Sequence, residues 1–231
     1  MFTINIAELN ICIDNKYSYV ENMCSEYITS ASPDFILSAS SEEINDEAVG
    51  ENSDMGYCES LAIYRKIAEI IIKEQGFLIH GAAIEVMGTG VIFLAKSGVG
   101  KSTHALLWQK LLGNKMQFIN GDKPLVRIYG EKVIVYGTPW AGKEKMHTNK
   151  CVELKKVCFI ERSDVNECFS VSKGEFLEKL MEQIYIPRNT DNFLMLLDLL
   201  SKFTDTTEFY LIKCNTDISA AYVAVKGTGL M

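Results

Sequence analysis

Residues 80–103, from His80 to Thr103, read HGAAIEVMGTGVIFLAKSGVGKST, and this stretch decides how the rest of the chain is interpreted. Two apolar runs, 82–86 and 91–94, flank the turn sequence Met87-Gly88-Thr89-Gly90, a pattern that predicts a β-hairpin. The second run leads into Ala95-Lys96-Ser97-Gly98-Val99-Gly100-Lys101-Ser102, and Thr103 continues into a segment of helical composition. This order of strand, glycine-rich loop and helix matches the phosphate-binding P-loop, with Ala95 in place of the motif's first glycine.

The loop residues have the properties that binding of a polyphosphate requires. Gly98 and Gly100 allow a positive φ, so that successive N–H groups turn inward and form an anion nest. The following helix adds the unpaired N–H groups and the positive dipole end of its N terminus. Lys101 is placed to reach the β- and γ-phosphates and Ser102 to ligate Mg²⁺. The sequence therefore predicts a nucleotide site; the alternative is a glycine-rich turn that binds no ligand.

Composition narrows the class of protein. The 231 residues fit one large domain, or a core with a small appendage, and the 48% hydrophobic content suffices for a sizeable core. No apolar stretch approaches the ~20 residues of a membrane span, and the N terminus lacks a signal-peptide pattern. We therefore expect a cytoplasmic protein with no membrane partner. The formal net charge of −7 argues against nucleic acid as a partner, and the seven cysteines, with no C-x-x-C pair, are expected to be reduced thiols.

A second candidate site segment lies downstream of the loop. The apolar run 116–119 predicts a strand, and it leads into Asn120-Gly121-Asp122-Lys123-Pro124. In P-loop proteins an aspartate at the end of such a strand holds Mg²⁺ or its water shell. The alternative is a simple turn, because turns favour Asn, Gly and Asp.

A third segment, residues 137–143, follows a predicted hairpin formed by 125–129 and 133–136. Its sequence, Gly137-Thr138-Pro139-Trp140-Ala141-Gly142-Lys143, is typical of a shaped loop. Trp140 either caps the core or belongs to a functional loop, and Lys143 is a candidate for holding phosphate or substrate.

The remaining pattern predicts a layer formed by residues 1–57 packed on a core formed by 58–231. Residues 2–13 alternate like a half-buried strand, and 41–55 are expected to form an exposed, mobile loop. In the core, apolar spacing predicts helices at 58–75, 175–186, 192–203 and 217–225, and strands at 152–161 and 208–214. Glu59, near the start of the first of these helices, is expected to have a structural role.

The motifs between about residues 77 and 145 resemble the catalytic domain of HPr kinase/phosphorylase. The shared features are His80-Gly81, an acidic residue five positions after the histidine (Glu85), the Gly88-Thr89-Gly90 turn and the P-loop. The chain is also similar to a subgroup of HPr-kinase-related proteins with Asn-x-Asp-Lys-Pro and Gly-Thr-Pro-Trp-x-Gly-Lys motifs. The wider group includes the phosphoenolpyruvate carboxykinases. The resemblance, together with the hairpin that runs into the P-loop, predicts an α/β, carboxykinase-like P-loop fold with a mixed β-sheet flanked by helices.

The resemblance implies a kinase that transfers the γ-phosphoryl group of ATP to a hydroxyl of a peptide, a protein or a small metabolite. Lys101, Ser102, Thr103 and Asp122 would hold the triphosphate and Mg²⁺. His80 would lie close to the transferred group, and Glu85 would help to hold the metal. Without the resemblance, the sequence favours His80 as a strand-end histidine satisfied by the backbone.

The chain departs from the HPr kinase pattern at Gly121, where that family carries the first of two adjacent aspartates. That aspartate is associated in the family with acid/base work, so His80, Glu85 or the substrate itself is left as the general base. The departure also favours an alternative function, a nucleotide-binding accessory or regulatory protein with reduced catalysis. A third possibility is cleavage of a phosphate ester, since HPr kinases also run in reverse. No counterpart of the C-terminal signature of the HPr kinases is present, which argues against HPr as the acceptor. Because HPr kinases assemble as hexamers, the resemblance also allows a homo-oligomer.

Overall fold

The chain contains both strands and helices, and the computed structural model describes them over residues 1–50, 52–96 and 98–231. In chain order the elements are β1 (Phe2–Ile6), β2 (Leu9–Ile13), α1 (Ser18–Met23), β3 (Phe35–Leu37), α2 (Ser41–Asp46), α3 (Met55–Lys73), β4 (Gly76–Leu78), β5 (Ala82–Val86), β6 (Thr89–Leu94), α4 (Lys101–Leu112), β7 (Met116–Asn120), β8 (Leu125–Tyr129), β9 (Lys132–Tyr136), β10 (Cys151–Arg162), β11 (Glu167–Ser170), α5 (Lys173–Met181), α6 (Thr190–Thr206), β12 (Glu208–Cys214) and α7 (Ile218–Gly227).

The main sheet is mixed, as predicted. Its strand order is β4-β8-β9-β10-β6-β5-β7, with β12 also paired to β10 and β11 paired to β12. The central strand, β10, pairs in parallel with β6 and β12 and antiparallel with β9. The predicted hairpin is the antiparallel pair β5–β6, closed by Met87 and Gly88, which both have positive φ. An all-parallel sheet is thereby excluded for this part of the chain.

Helices cover both faces of the main sheet because alternate residues of the central strands are apolar on both sides. On β6, Ile92 and Leu94 contribute to the core beneath α5 and α6, whereas Val91 and Phe93 contribute to the core beneath α4 and α7. The expectation of a mixed sheet flanked by helices is confirmed. Within the described ranges, every helix is too short or too polar to span a lipid bilayer.

The N-terminal residues form a separate three-stranded sheet, in which β1 pairs antiparallel and β3 in parallel with β2. Apolar side chains of β1 and β2 pack with those of α3 in a shared core. The prediction of a mobile loop over 41–55 was wrong for Ser41–Asp46, which form α2. A capping box between Ser40 and Glu43 begins this helix. The helix was not predicted because its polar, acidic composition is also typical of an exposed loop.

The helix α3 begins earlier than the apolar spacing predicted, because Asp54 caps it by accepting from two backbone N–H groups. The buried Glu59 accepts hydrogen bonds from the N–H groups of Lys16 (2.6 Å) and Tyr17 (2.9 Å). The carboxylate thus satisfies the backbone that leads into α1, in agreement with the expected structural role.

The helix predicted at 175–186 ends at Met181. The chain then turns back, and Ile184 forms an isolated antiparallel bridge with Ile79. The carbonyl of Gln183 accepts from the His80 N–H at 2.7 Å. The residues after α5 therefore lie beside the segment that follows β4, and they hold the backbone of His80 in place.

Candidate active site

The glycine-rich loop connects β6 to α4, which confirms the predicted order of strand, loop and helix. Gly98 has φ +77° and Gly100 has φ +120°, both in the region that favours glycine. A Cβ atom on Gly98 would meet no heavy atom within 4 Å, so backbone conformation rather than space selects glycine there. Ala95 is fully buried in the core beneath α4, which accommodates its methyl group. Ser97, a predicted ligand of the nucleotide, lies outside the described residues.

Lys101 begins α4 directly after Gly100, and its side chain folds back over the loop. Its Nζ donates to the carbonyl of Ala95 at 3.2 Å. Burial lowers the pKa of Lys101, and the negative charge of Asp122 opposes this shift. Ser102 and Thr103 occupy the same first turn, where backbone N–H groups have no partner within the helix.

The helix α4 is anchored behind the loop by the buried His104. Because an indole N–H can only donate, His104 Nε2 accepts from Trp108 Nε1 (3.0 Å), and the ring hydrogen is on Nδ1. This Nδ1 faces Cys214 Sγ at 3.6 Å. Burial lowers the pKa of His104 to about 4, so the ring is neutral at neutral pH. His104 thus fixes the N-terminal half of α4 against β12.

His80 and Asp122, two of the predicted site residues, are in contact. His80 Nε2 lies 3.1 Å from Asp122 Oδ1, and Lys123 Nζ lies 3.0 Å from Asp122 Oδ2. Burial alone would raise the pKa of Asp122, but the hydrogen bond from His80 and the charge of Lys123 outweigh it and lower the pKa to about 2. Asp122 is therefore ionised at neutral pH, and both of its oxygens have a cationic or hydrogen-bonding neighbour.

Asn120, which sequence reasoning did not select, positions the backbone of Asp122. Its fully buried side chain donates from Nδ2 to the carbonyl and the hydroxyl oxygen of Thr138, both at 2.9 Å. Its Oδ1 accepts from the N–H groups of Asp122 (2.8 Å) and Lys123 (2.7 Å). An asparagine that accepts from backbone two and three residues ahead is an Asx-type turn. The Asn-x-Asp order was the available signal for it.

The loop 137–143 supports the same turn from the other side. The Thr138 hydroxyl (2.9 Å) and the Tyr64 hydroxyl (2.6 Å) both donate to the Lys123 carbonyl. Trp140 is buried and stacks on Tyr64 with a centroid separation of 4.0 Å. Its Nε1 donates to the backbone carbonyl of Ser60. Trp140 therefore caps the core beneath the turn.

Lys143 is exposed, and it follows a glycine that lies directly against Asp122. A Cβ atom on Gly142 would be 3.1 Å from Asp122 Cβ. The backbone next to Lys143 thus borders the candidate site, and the role of its side chain in holding phosphate or substrate stays a prediction.

Glu85 is not brought together with His80 and Asp122 in the described part of the chain. Its neighbours on β5, Ile84 and Val86, pack toward α4, so Glu85 belongs to the opposite face of the sheet. There its carboxylate accepts a hydrogen bond from Gln117 on β7. A role of Glu85 in holding the metal stays a prediction that this geometry does not favour.

The surroundings of Gly121 explain why it differs from the HPr kinase pattern. A Cβ atom on Gly121 would lie 3.0 Å from the carbonyl oxygen of Ala141 and 3.3 Å from that of Met146. An aspartate side chain would have to enter this narrow space between two carbonyl oxygens. The packing of the 137–143 loop therefore favours glycine at this position.

The oxygen donors that are present fit a magnesium ion. Asp122 offers an ionised carboxylate and Ser102 a hydroxyl, and the described residues include no cluster of three or more His, Cys, Asp or Glu side chains. Mg²⁺ keeps several waters and is bound through one or two carboxylates together with substrate phosphates. The ionised carboxylate of Asp122 and the hydroxyl of Ser102 are ligands of the kind that Mg²⁺ accepts.

Neither a protein-family model nor a curated protein matches this chain. Among solved structures, the chain has a likeness to the HPr(Ser) kinase/phosphatase from Coxiella burnetii. The two are 13% identical, the match covers 53% of this chain and 86% of the other, and the TM-score is 0.31. That TM-score is too low to establish a common fold. The function proposed below therefore depends on the residues of the site and not on this likeness.

Proposed function

We propose that this protein is a nucleotide-dependent phosphotransferase, a kinase that uses ATP and Mg²⁺ to phosphorylate a hydroxyl of a peptide, a protein or a small metabolite. The observation that carries the proposal is the position of Asp122. Its carboxylate contacts His80 at 3.1 Å and Lys123 at 3.0 Å, and its charge acts on Lys101 of the glycine-rich loop. A carboxylate that contacts an imidazole, and whose charge also acts on a lysine of the loop, supplies electrostatic and proton-transfer groups of the kind that phosphoryl transfer needs.

In this proposal the triphosphate lies against the loop backbone and the first turn of α4. Lys101 leaves its present acceptor, the Ala95 carbonyl, for the β- and γ-phosphates, and the N–H groups of Ser102 and Thr103 point toward the same anion. Ser97 belongs to the same motif and is included on that ground. Ser102 and Asp122 would hold Mg²⁺, which when bound neutralises charge on the phosphoryl oxygens.

The acceptor hydroxyl oxygen forms a bond to the γ-phosphorus as the bond from that phosphorus to the bridging oxygen breaks, and ADP leaves. We propose that His80 accepts the proton of the acceptor hydroxyl. A hydrogen on Nε2 faces Asp122, so Nδ1 is the ring atom that accepts the proton, and the ionised Asp122 stabilises the imidazolium that results. Lys143, in the turn beside Asp122, is proposed to hold an anionic group of the substrate.

A second function, a nucleotide-binding accessory protein with reduced catalysis, is favoured by one observation. A Cβ atom on Gly121 would crowd the carbonyl oxygens of Ala141 and Met146, which disfavours a second carboxylate at this position. In that function the loop still binds ATP, but the acceptor is not phosphorylated.

Calorimetric titration with Mg²⁺-ATP tests the site first. The matched pair of variants is Lys101→Ala in the first turn of α4 and Lys110→Ala in its last turn, where the lysine is exposed. We expect the wild type and Lys110→Ala to bind alike and Lys101→Ala to bind at least about tenfold more weakly. Absence of ATP binding by the wild type would overturn both functions.

Transfer is tested with ATP labelled at the γ-phosphate, added together with a cell extract. We expect a labelled product with the wild type and its loss in His80→Gln and Asp122→Asn. ATP binding without ADP formation or labelled product under any acceptor would favour the accessory protein. Release of inorganic phosphate alone, equal in all three proteins, would argue against a role of His80 and Asp122 in transfer.

A further inference from the structure

Arg162, the last residue of β10, contacts two carbonyl groups of the glycine-rich loop. β10 runs parallel to β6, and Phe159 pairs with Leu94, so the two strands end at the same edge of the sheet. Three residues further on, Arg162 donates from Nε to the carbonyl of Val99 at 3.1 Å and from Nη2 to the carbonyl of Gly98. The guanidinium therefore binds two successive carbonyls of the loop.

These two hydrogen bonds fix the direction of the neighbouring N–H groups. In a planar trans peptide the C=O and the following N–H point in opposite directions. Because the Gly98 and Val99 carbonyls face Arg162, the N–H groups of Val99 and Gly100 face away from it. The Val99 N–H closes a turn onto the Lys96 carbonyl at 3.2 Å, and the Gly100 N–H is directed to the side of the loop opposite Arg162.

Apart from the bond of the Val99 N–H to Lys96, side chains give these two peptide planes little resistance to rotation. They are flanked by Gly98 and Gly100, which have no side chain to oppose rotation. Rotation of the plane between Val99 and Gly100 would turn a carbonyl oxygen toward a bound anion and the Gly100 N–H away from it. Such a rotation would convert part of the nest from a donor of hydrogen bonds into a repulsive surface.

We infer that Arg162 is a positioning residue that keeps the loop carbonyls turned away from a bound polyphosphate. This inference rests on the proposed function, since it assumes that the loop binds the phosphates of a nucleotide. Arginine suits the role because its planar guanidinium offers several donors in a fixed geometry, whereas a lysine ammonium is a point charge that holds no such fork. The ligand class is a nucleoside triphosphate or an inorganic polyphosphate of the same length.

The test measures the Kd of ATP and of inorganic tripolyphosphate for the wild type, Arg162→Ala and Arg162→Lys. Arg65→Ala is the matched control. Arg65 is an exposed arginine on α3, and it pairs with Glu47, which follows α2, and not with the loop. We expect Arg162→Ala to weaken both ligands by about tenfold, Arg162→Lys to recover part of the loss, and Arg65→Ala to bind like the wild type. Millimolar guanidinium ion should restore binding to Arg162→Ala but not change the wild type, a rescue that a general loss of stability would not show.

Equal affinity of Arg162→Ala and the wild type, or failure of guanidinium to restore binding, would overturn the inference while the proposed function stands. Binding of tripolyphosphate but not ATP by the wild type would overturn the proposed function. The Kd of tripolyphosphate for the wild type and the two Arg162 variants would then still decide the role of Arg162. A readout without ligand completes the test. In the free protein, the amide signals of Val99 and Gly100 should broaden in Arg162→Ala and sharpen again with guanidinium, and unchanged signals would reject the inference even if no polyphosphate binds.

Discussion

The glycine-rich loop and the turn at residues 120–123 form the two halves of the candidate site, and they are held in different ways. The loop is shaped by backbone conformation, with positive φ at Gly98 and Gly100. The turn is shaped by buried side chains, above all Asn120, whose four hydrogen bonds join it to Thr138 and to the backbone of Asp122 and Lys123. Changes in the loop should therefore affect ligand affinity first. Changes in the turn should affect stability first and the position of Asp122 as a consequence.

The largest effect should come from Asn120→Ala. This change removes four hydrogen bonds, two of them buried and two part-buried, and leaves two backbone N–H groups and a carbonyl without this partner. Since each buried polar group without a partner costs about 1–3 kcal/mol, we expect a loss of about 4 kcal/mol in the free energy of unfolding. Urea denaturation measures it.

Asn45→Ala is the control for that change, because Asn45 is exposed on α2. It should change the free energy of unfolding by less than about 0.5 kcal/mol. If the two variants proved equally stable, the turn would not depend on its buried side chains and the comparison of the two regions would be wrong.

The sequence predicts the loop better than the turn, and the reason is physical. The positive φ values of the loop belong to Gly98 and Gly100 themselves, so a local motif contains most of the information. The contact from Arg162 is the part of the loop that no local motif records. The turn is held by the hydroxyl groups of Tyr64 and Thr138, which donate to the Lys123 carbonyl, and Trp140 stacks on Tyr64. These contacts are set by packing between elements far apart in the chain, which no local pattern records.

The same distinction applies to the fold. The hairpin β5–β6 and the strand β12 agree with their predicted positions, because each has a strong apolar pattern and clear turn residues. The ends of α5 were predicted less well, since the chain after Met181 leaves the helix to pair with Ile79. Glu85 illustrates the limit at the level of a single residue. It is near His80 in sequence, but the alternation of β5 directs it to the face of the sheet away from α4, where it contacts Gln117.

The second largest effect concerns the anchor of the loop helix and depends on pH. The pKa of His104 is lowered by burial from 6.5 to about 4 in the folded protein. The unfolded chain therefore binds one more proton between these values, so stability is complete above pH 6.5 and is lost as the pH falls through 4. The total is on the order of 3 kcal/mol.

The measurement is the free energy of unfolding of the wild type and His104→Gln between pH 7.5 and 4. Acidic groups titrate in both proteins, so the difference between the two curves isolates His104. We expect the wild type to lose up to ~1.4 kcal/mol more per pH unit in this window. Parallel curves would contradict the neutral, buried state of His104.

A third change tests whether the turn excludes a second carboxylate. Gly121→Asp places a Cβ atom and a negative charge between the carbonyl oxygens of Ala141 and Met146. We expect a loss of about 2 kcal/mol in the free energy of unfolding, as for other crowded sites. Gly121→Ala separates the two contributions, because it introduces the crowding without the charge and should cost about half as much. An aspartate variant as stable as the wild type and more active in phosphoryl transfer would show that the loop moves aside, and that Gly121 is not imposed by packing.

The smallest effect should come from Tyr64→Phe, which removes one contact to the turn and keeps the rest. The Tyr64 hydroxyl donates to the Lys123 carbonyl at 2.6 Å, and the same carbonyl also accepts from Thr138 at 2.9 Å. Because phenylalanine keeps the stacking on Trp140 and the carbonyl keeps one partner, we expect a loss of about 1 kcal/mol in the free energy of unfolding. Tyr57→Phe, at an exposed ring in the first turn of the same helix, should be neutral. A Tyr64→Phe variant that weakened ATP binding as strongly as Lys101→Ala, with little loss of stability, would mean that the turn and the loop are coupled more tightly than their separate contacts indicate.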